Sequence, residues 1–452
     1  MIIAILAASA LLTAVLLRRQ FTRGTLPWDM GATFVLVVGW SSQLPALYTR
    51  LTTDVGYQRN LWGELTEVSA KPPEIAVLAS NALIVLVALA LLWRGIREPA
   101  TRTVSVFGVA AMLTLIVAMS IEPAGWINFA TGQPAVLLGL LAAATFAAPS
   151  RRGAITGGAV FTLSFAVLGG LLAAVRPERV FMECSAKCSI LGEIYTGAST
   201  HGNTVGLITA AGLPFVWLAF TGKVRLWMVL YLALNLAASG SRTAMAAAAV
   251  TLVALILTQP AAEGDGARGR NLPVLTLGTI GAIVIALILP FTVTEDRFAT
   301  GRGYLWRLAL AQFEDTPFIG AGLTTWNRFY QAGEFGAAAA YSTHNQWVEM
   351  LLLGGVVACL IFLLGFLSML AIGDRSRKFL VIPVLLSVCV LGIAERPLSI
   401  GVVNSMTWVL IALVMVSSSR RVRTPSTSQS FQAQPTPTQL RVPTTRGSHW
   451  RE

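Results

Sequence analysis

Charge is scarce in this chain. Asp, Glu, Lys and Arg supply 12% of the 452 residues, against 55% hydrophobic residues, whereas water-soluble chains carry roughly a quarter charged residues. That balance excludes a water-soluble globular protein, because so much apolar surface cannot be hidden from water. Histidine is rarer still, with three residues, and cysteine numbers four. The chain has no Walker loop, no GxGxxG after a strand, no HExxH and no carboxylate cluster spaced to hold a divalent metal. ATP-driven transport and metalloprotease chemistry therefore lack their parts. A Cys–His nucleophile pair is equally unsupported, and no cofactor or metal ligand is expected.

Apolar runs, by contrast, are abundant. Stretches of roughly 18 or more nearly uncharged residues recur, each long enough to cross a bilayer as a helix. The alternation that a spanning β-barrel needs is missing. The fold class that follows is all-α, a polytopic helical membrane protein of about 12–13 transmembrane helices. They are expected at 1–17, 31–49, 75–93, 103–121, 132–149, 154–175, 203–220, 225–239, 241–258, 273–292, 345–370, 379–394 and 400–417. The first run reads as a retained helix, since its arginines follow the apolar stretch and no small-residue cleavage site is evident.

The net charge of +12 would suit nucleic acid, but its placement argues against that partner. Basic residues gather in alternate connections, among them "RRQFTR" (18–23), "SRRG" (150–153), "TGKVR" (221–225) and "GDRSRK" (373–378). Such an excess sets orientation in a membrane. It places the N-terminus outside and the C-terminus in the cytoplasm. Residues 1–418 make one membrane domain. Residues 419–452, rich in Ser, Thr, Pro and Gln and holding His449, read as a disordered cytoplasmic tail.

Three connections on the outer face are sizeable: about 50–74, 176–202 and 293–344. The second holds Cys184 and Cys188, where a disulfide is chemically permitted, while Cys359 and Cys389 lie in apolar runs and fill space. In the third, "GRGYLWRLALAQFED" spaces Tyr304, Leu305, Leu308 and Phe313 at near-helical intervals, which predicts a short amphipathic helix on the membrane surface. "DTPFIGAGLTTW" then breaks it with Pro317, Gly320 and Gly322.

Three places at the outer rim carry groups suited to chemistry. In "STHNQW", His344 stands where an apolar helix starts. Ser342 or Thr343 could simply cap that helix, leaving His344 to face solvent. Alternatively, the positive end of the helix dipole favours a neutral imidazole, the form a general base for a hydroxyl needs. Glu349, just over a turn further on, either orients a neighbour or is a buried acid paired elsewhere. In "AASGSRTAMAAA", Arg242 stands at an outer junction among small residues that would let a bulky ligand approach. It either snorkels or meets an anion. Arg302 and Arg307 add fork-shaped donors suited to phosphate oxygens. In "TGASTHGNTVGL", His201 and Asn203 stand at the mouth of a span, as caps or as ligand contacts.

At these residues the chain resembles the O-antigen ligase and O-antigen polymerase superfamily. "THGNTVGLITAAGLPF" is similar to the family's histidine–asparagine motif, and "SGSRTAMAAAAVTLVALIL" to its SR motif. "GRGYLWRLALAQFEDTPFIGAGLTTW" resembles its loop helix and turn, and "THNQWVEMLLLGGVVACLIFLL" the stretch that closes the loop. The four in order span residues 195–370. The chain departs from the pattern at Gly202, where proline is common, at Ile194, where arginine is, and at Thr316, where histidine precedes the proline.

The resemblance implies a metal-independent C-type membrane glycosyltransferase. Such enzymes move a glycan from a polyprenyl-diphosphate carrier to a glycan or glycolipid acceptor at the outer face of the bacterial cytoplasmic membrane. It implies His344 as the base for the acceptor hydroxyl and Arg242 and Arg302 as diphosphate contacts; Arg307, His201, Asn203 and Asn345 are expected beside them as further substrate contacts. Membrane lipids and glycan-assembly proteins are the expected partners. Direct displacement would invert the anomeric centre. The alternatives are a multi-span transporter or lipid flippase, whose titratable groups belong near the bilayer midplane, and a non-catalytic assembly scaffold.

Overall fold

A computed structural model describes residues 2–53, 56–59, 65–68, 72–98, 103–121, 132–147, 150–184, 188–190, 192–257, 272–334, 342–373 and 375–420. All thirteen expected runs are helices: α1 Ile2–Thr22, α2 Met30–Thr52, α3 Glu74–Arg97, α4 Val106–Ser120, α5 Gln133–Ala147, α6 Arg151–Val175, α7 Gly202–Ala219, α8 Gly222–Ser239, α9 Arg242–Leu257, α10 Leu272–Thr292, α13 Gln346–Ala371, α14 Arg375–Leu391 and α15 Thr407–Ser417. Two more, α11 Phe298–Asp315 and α12 Thr325–Gln331, lie in the long connection between α10 and α13. Strands among the described residues are two- to four-residue pairs. By length and composition seven of the helices can cross a membrane unaided. The protein is an all-α, multi-pass membrane protein. The proposed tail falls almost wholly outside the described residues.

Polar side chains start several of these helices where the sequence turns apolar. Asp29 accepts from the Ala32 amide at 3.0 Å to open α2, and Ser150 accepts from Gly153 at 2.7 Å to open α6. Each satisfies an amide with no partner inside its own helix. α6 packs against α1, α2 and α7, and α4 against α13. α15 is the axis of the bundle, buried at every residue, with Trp408 set between Phe161 (5.1 Å) and Phe215 (5.3 Å). The perimeter is apolar and exposed, as at Leu78 and Leu86 of α3 or Leu277 and Ile288 of α10. That is a surface for lipid tails, not water.

α15 is shorter than expected. It begins at Thr407, and residues 400–406 run to it as irregular backbone. Eleven residues rise only about 16 Å, so the chain reaches the helix through a non-helical segment that is buried at Ile400 and Met406 and exposed at Val402. Irregular backbone is tolerated at membrane depth only where it is buried in protein or lines a water-filled cavity.

A second departure concerns α11. Its apolar side does not lie on the membrane. Tyr304, Leu305, Leu308 and Leu310 pack with Trp326 of α12 and with Val348, Leu352 and Leu353 of α13. The helical period is as expected, but the partner is protein: the first turns of α13 project past the end of α4 and offer α11 an apolar face. Gly354 faces Ala118 near the end of α4, which fixes that level. There α13 is broken at Gly355 (φ 64°), and the turn 317–322 docks into the break. Val356 and Val357 donate to the carbonyls of Pro317 and Phe318 (2.9 and 3.1 Å), while Ala321 and Gly322 donate to those of Leu352 and Leu353 (2.7 and 3.1 Å). Main-chain groups freed by the broken helix are thus satisfied by the loop.

Candidate functional site

The start of α13 sets the chemistry. Asn345 is its N-cap, in place of Ser342 or Thr343: its side-chain oxygen accepts from the amides of Trp347 and Val348 at 2.9 and 3.0 Å. Its amide nitrogen donates to the carbonyls of Ala286 in α10 (2.8 Å) and Ile393 after α14 (3.0 Å). Gln346 exchanges two 2.9 Å hydrogen bonds with the backbone of Leu398. Trp306 of α11, fully buried, donates its indole N–H to the Thr343 carbonyl at 2.8 Å. Three elements therefore converge on the backbone that carries His344. His344 itself has φ 51°, a left-handed conformation that a residue with a side chain seldom adopts. Such strain persists only where surroundings impose it.

That backbone aims the imidazole at Glu395, in the link between α14 and α15. His344 Nδ1 lies 2.9 Å from Glu395 Oε2, and the other carboxylate oxygen pairs with Arg302 of α11. Glu395 is nearly buried, with 4% of its side chain exposed, whereas 39% of His344 remains accessible. A carboxylate can only accept, so Nδ1 is the donor of this pair, and in a neutral imidazole Nε2 keeps its lone pair. Burial of the carboxylate is made tolerable by the guanidinium beside it.

Under this triad lies a second ion pair. Glu349, fully buried, accepts from the Thr343 amide (2.9 Å), the Thr343 hydroxyl (3.1 Å) and the Trp326 indole (3.1 Å), and pairs with Arg396. Of its two sequence readings, the paired buried acid is the one realised. Glu395 and Arg396 are consecutive, so one short link places a carboxylate against α11 and α13 and a cation against α13. Both were missed in the sequence. The available signal was "ERP", an acid and a base in a five-residue link between two apolar runs.

Arg242 is the first residue of α9, exposed, and among the described residues its side chain makes no hydrogen bond or ion pair. The αL turn at Gly240 (φ 68°) aims it. His201 is the N-cap of α7, exposed, with Asn203 half-buried in the first turn. Gly202 between them meets the Ser239 carbonyl so closely that a Cβ would collide with it, which accounts for glycine there. His201, Asn203 and Arg242 thus share one corner. α6 starts beside the end of α15, where Arg151 donates to the Ser418 carbonyl, so α7, which follows the far end of α6, starts at the end of the bundle that holds the link to α15 and Glu395. Cys188 and Ser189 lie against the Gly240 turn, and Cys184 and Cys188 form a disulfide.

Two sequence candidates are placed differently. Arg307 pairs with Asp296 and donates to the Thr294 carbonyl at 3.4 Å. It lines a cavity of about 450 Å³ with Pro290, Phe291, Leu310 and Phe313, none of which touches the triad. Five residues separate it from Arg302, and that spacing puts the two on different faces of α11. Asn345, for its part, has both amide atoms committed to four protein groups. Its place is structural, holding the triad's backbone instead of reaching a ligand.

Residues 227–363 match the family model described as O-antigen ligase. This stretch, less than a third of the chain, is similar to that family. No curated protein and no solved structure matches. The matched region includes Arg242, Arg302, Arg307, His344 and Asn345, and stops short of Glu395 and Arg396. The match supports, over this stretch, the resemblance read from the sequence.

Proposed function

We propose that the protein transfers a glycan from a polyprenyl-diphosphate carrier to an acceptor hydroxyl, with inversion, at the outer face of the bacterial cytoplasmic membrane. The observation that carries this reading is the His344–Glu395–Arg302 triad. His344 Nε2 takes the proton of the acceptor hydroxyl as its oxygen attacks the anomeric carbon. The bond from that carbon to the diphosphate oxygen breaks, and its electron pair leaves with the carrier diphosphate. Glu395 holds the imidazole in the tautomer that leaves Nε2 free and faces the charge that develops on the ring. Arg302 and Arg242 supply fixed positive charge for the leaving diphosphate.

Inversion follows from the carboxylates. Among the described residues the two buried at this end are both engaged, Glu395 by Arg302 and His344 and Glu349 by four donors. Neither is placed as a nucleophile for a double displacement, so a single displacement fits best. A transporter reading is less well supported, since these ionisable groups lie at one end of the bundle and not at mid-depth.

Purified protein supplied with lipid-linked donor and acceptor, in the absence of any gradient, tests the reading. Transfer with inversion at the anomeric carbon is expected, and a product with the donor's anomeric configuration would contradict it.

A further inference from the structure

Away from the triad, the end of α10 that leads into the long connection and the neighbouring face of α11 enclose a cavity of about 450 Å³. That volume falls within the roughly 300–1,000 Å³ of ordinary small-molecule sites. Phe291, Leu310 and Phe313 supply apolar walls, while Arg307 and Glu314 supply charge. The two charged residues are seven apart on α11, two helical turns along one face. We propose that this cavity binds a zwitterionic phospholipid whose headgroup ends in a primary ammonium. Its phosphate meets Arg307, its ammonium meets Glu314, and the start of an acyl chain lies against Phe291 and Phe313.

Three observations favour that occupant. First, the cavity adjoins the lipid-facing surface. Leu277, Val284, Ile288 and Phe291 are all exposed, and their spacing puts them in one row along α10 that ends at the cavity wall. Lipid tails cover such a row, and a phospholipid lying along it has its headgroup at the level of the helix end. Second, both charged groups have capacity to spare. Among the described residues, Arg307 uses two of its five N–H groups, one toward Asp296 and one toward the Thr294 carbonyl at 3.4 Å. Glu314 is exposed and makes no hydrogen bond or ion pair among the described residues. Third, the balance of charge selects the headgroup. With Asp296 beside Arg307, two carboxylates and one guanidinium stand around the cavity. A diphosphate or an anionic phospholipid brings negative charge alone, which the carboxylates repel. A zwitterion sets its cation on the spare carboxylate and its anion on the guanidinium. A primary ammonium also has N–H groups to give Glu314, whereas a quaternary ammonium has none.

This site is separate from the triad, because Arg302 lies on a different face of α11 from Arg307. α10 and α11 otherwise touch only sparsely, so a lipid held between them braces the helix that carries Arg302.

Native mass spectrometry of the full-length protein in detergent, titrated with dioleoyl phosphatidylethanolamine, phosphatidylcholine or phosphatidylglycerol, tests the site. Wild type is expected to hold one phosphatidylethanolamine about tenfold tighter than either other lipid, the equivalent of one charge-assisted hydrogen bond. Glu314→Gln should erase that preference, and Glu314→Lys should turn it toward phosphatidylglycerol. Arg307→Gln should weaken phosphatidylethanolamine binding, again about tenfold. Glu314 is exposed and the Arg307–Asp296 pair is half-exposed, so these changes leave folding intact. Ala311→Trp, which fills the cavity without altering charge, should abolish tight binding of phosphatidylethanolamine. Equal affinity of wild type for the three lipids, or a preference for either of the other two, would overturn the proposal. So would a phosphatidylethanolamine preference that survives Glu314→Gln or Ala311→Trp, since the lipid would then sit elsewhere on the protein.

Discussion

At the scale of single residues, the site depends on side chains that never meet substrate. Asn345 uses both ends of its amide to fasten α10, α13 and the 392–398 link. Asn345→Ala removes two cap bonds and leaves the Ala286 and Ile393 carbonyls without their donor. A loss of about 2–4 kcal/mol of stability is expected from denaturant titration in detergent. Asn345→Asp retains the cap but not the donors, and should fall between alanine and wild type. His344 was legible in the sequence because a rare residue stood where an apolar helix began. Its partner was not. Glu395 lies fifty-one residues away in a short link, where an acid reads as mere punctuation between spans, and only folding brings it to the imidazole. Arg302 and Arg307 looked equivalent as cations, yet helical geometry turns one toward Glu395 and the other toward Asp296.

At the scale of elements, the decisive device is the break in α13. Gly355 has φ 64°, and a Cβ there would run into the main chain of Phe318 and Ile319. Gly355→Ala should therefore expel the docked turn while leaving α13 able to continue as a regular helix. Faster limited proteolysis within 316–334, together with reduced transfer, is the expected outcome. Glu349→Gln acts on a neighbouring joint by leaving Arg396 without its counter-charge. Removing one partner of a buried pair costs about 3–5 kcal/mol, which thermal unfolding of the two proteins would show. The amphipathic period of α11 correctly announced a helix. It could not say whether the apolar side met lipid or protein, because both accept the same residues. Nor could apolar content show that the last run would stay irregular until Thr407, since buried coil and buried helix are equally apolar.

At the scale of the whole molecule, the spans were the most legible feature, because the bilayer sets both their length and their composition. The proposed orientation puts the end carrying Arg242, His344 and Glu395 outside the cell. A fluorescent reporter that matures only in the cytoplasm, fused after Glu452, should fluoresce. An exported phosphatase fused at the same place should stay inactive, and the reverse pair of results would invert the topology. The central claim is that His344, oriented by Glu395, is the base in glycan transfer. The measurement that bears on it most directly is the transfer rate of purified His344→Ala from lipid-linked donor, with pyrophosphate binding measured on the same sample. A fall of about 10²–10⁴-fold with binding retained is the predicted result. Transfer within a few-fold of wild type would contradict the account.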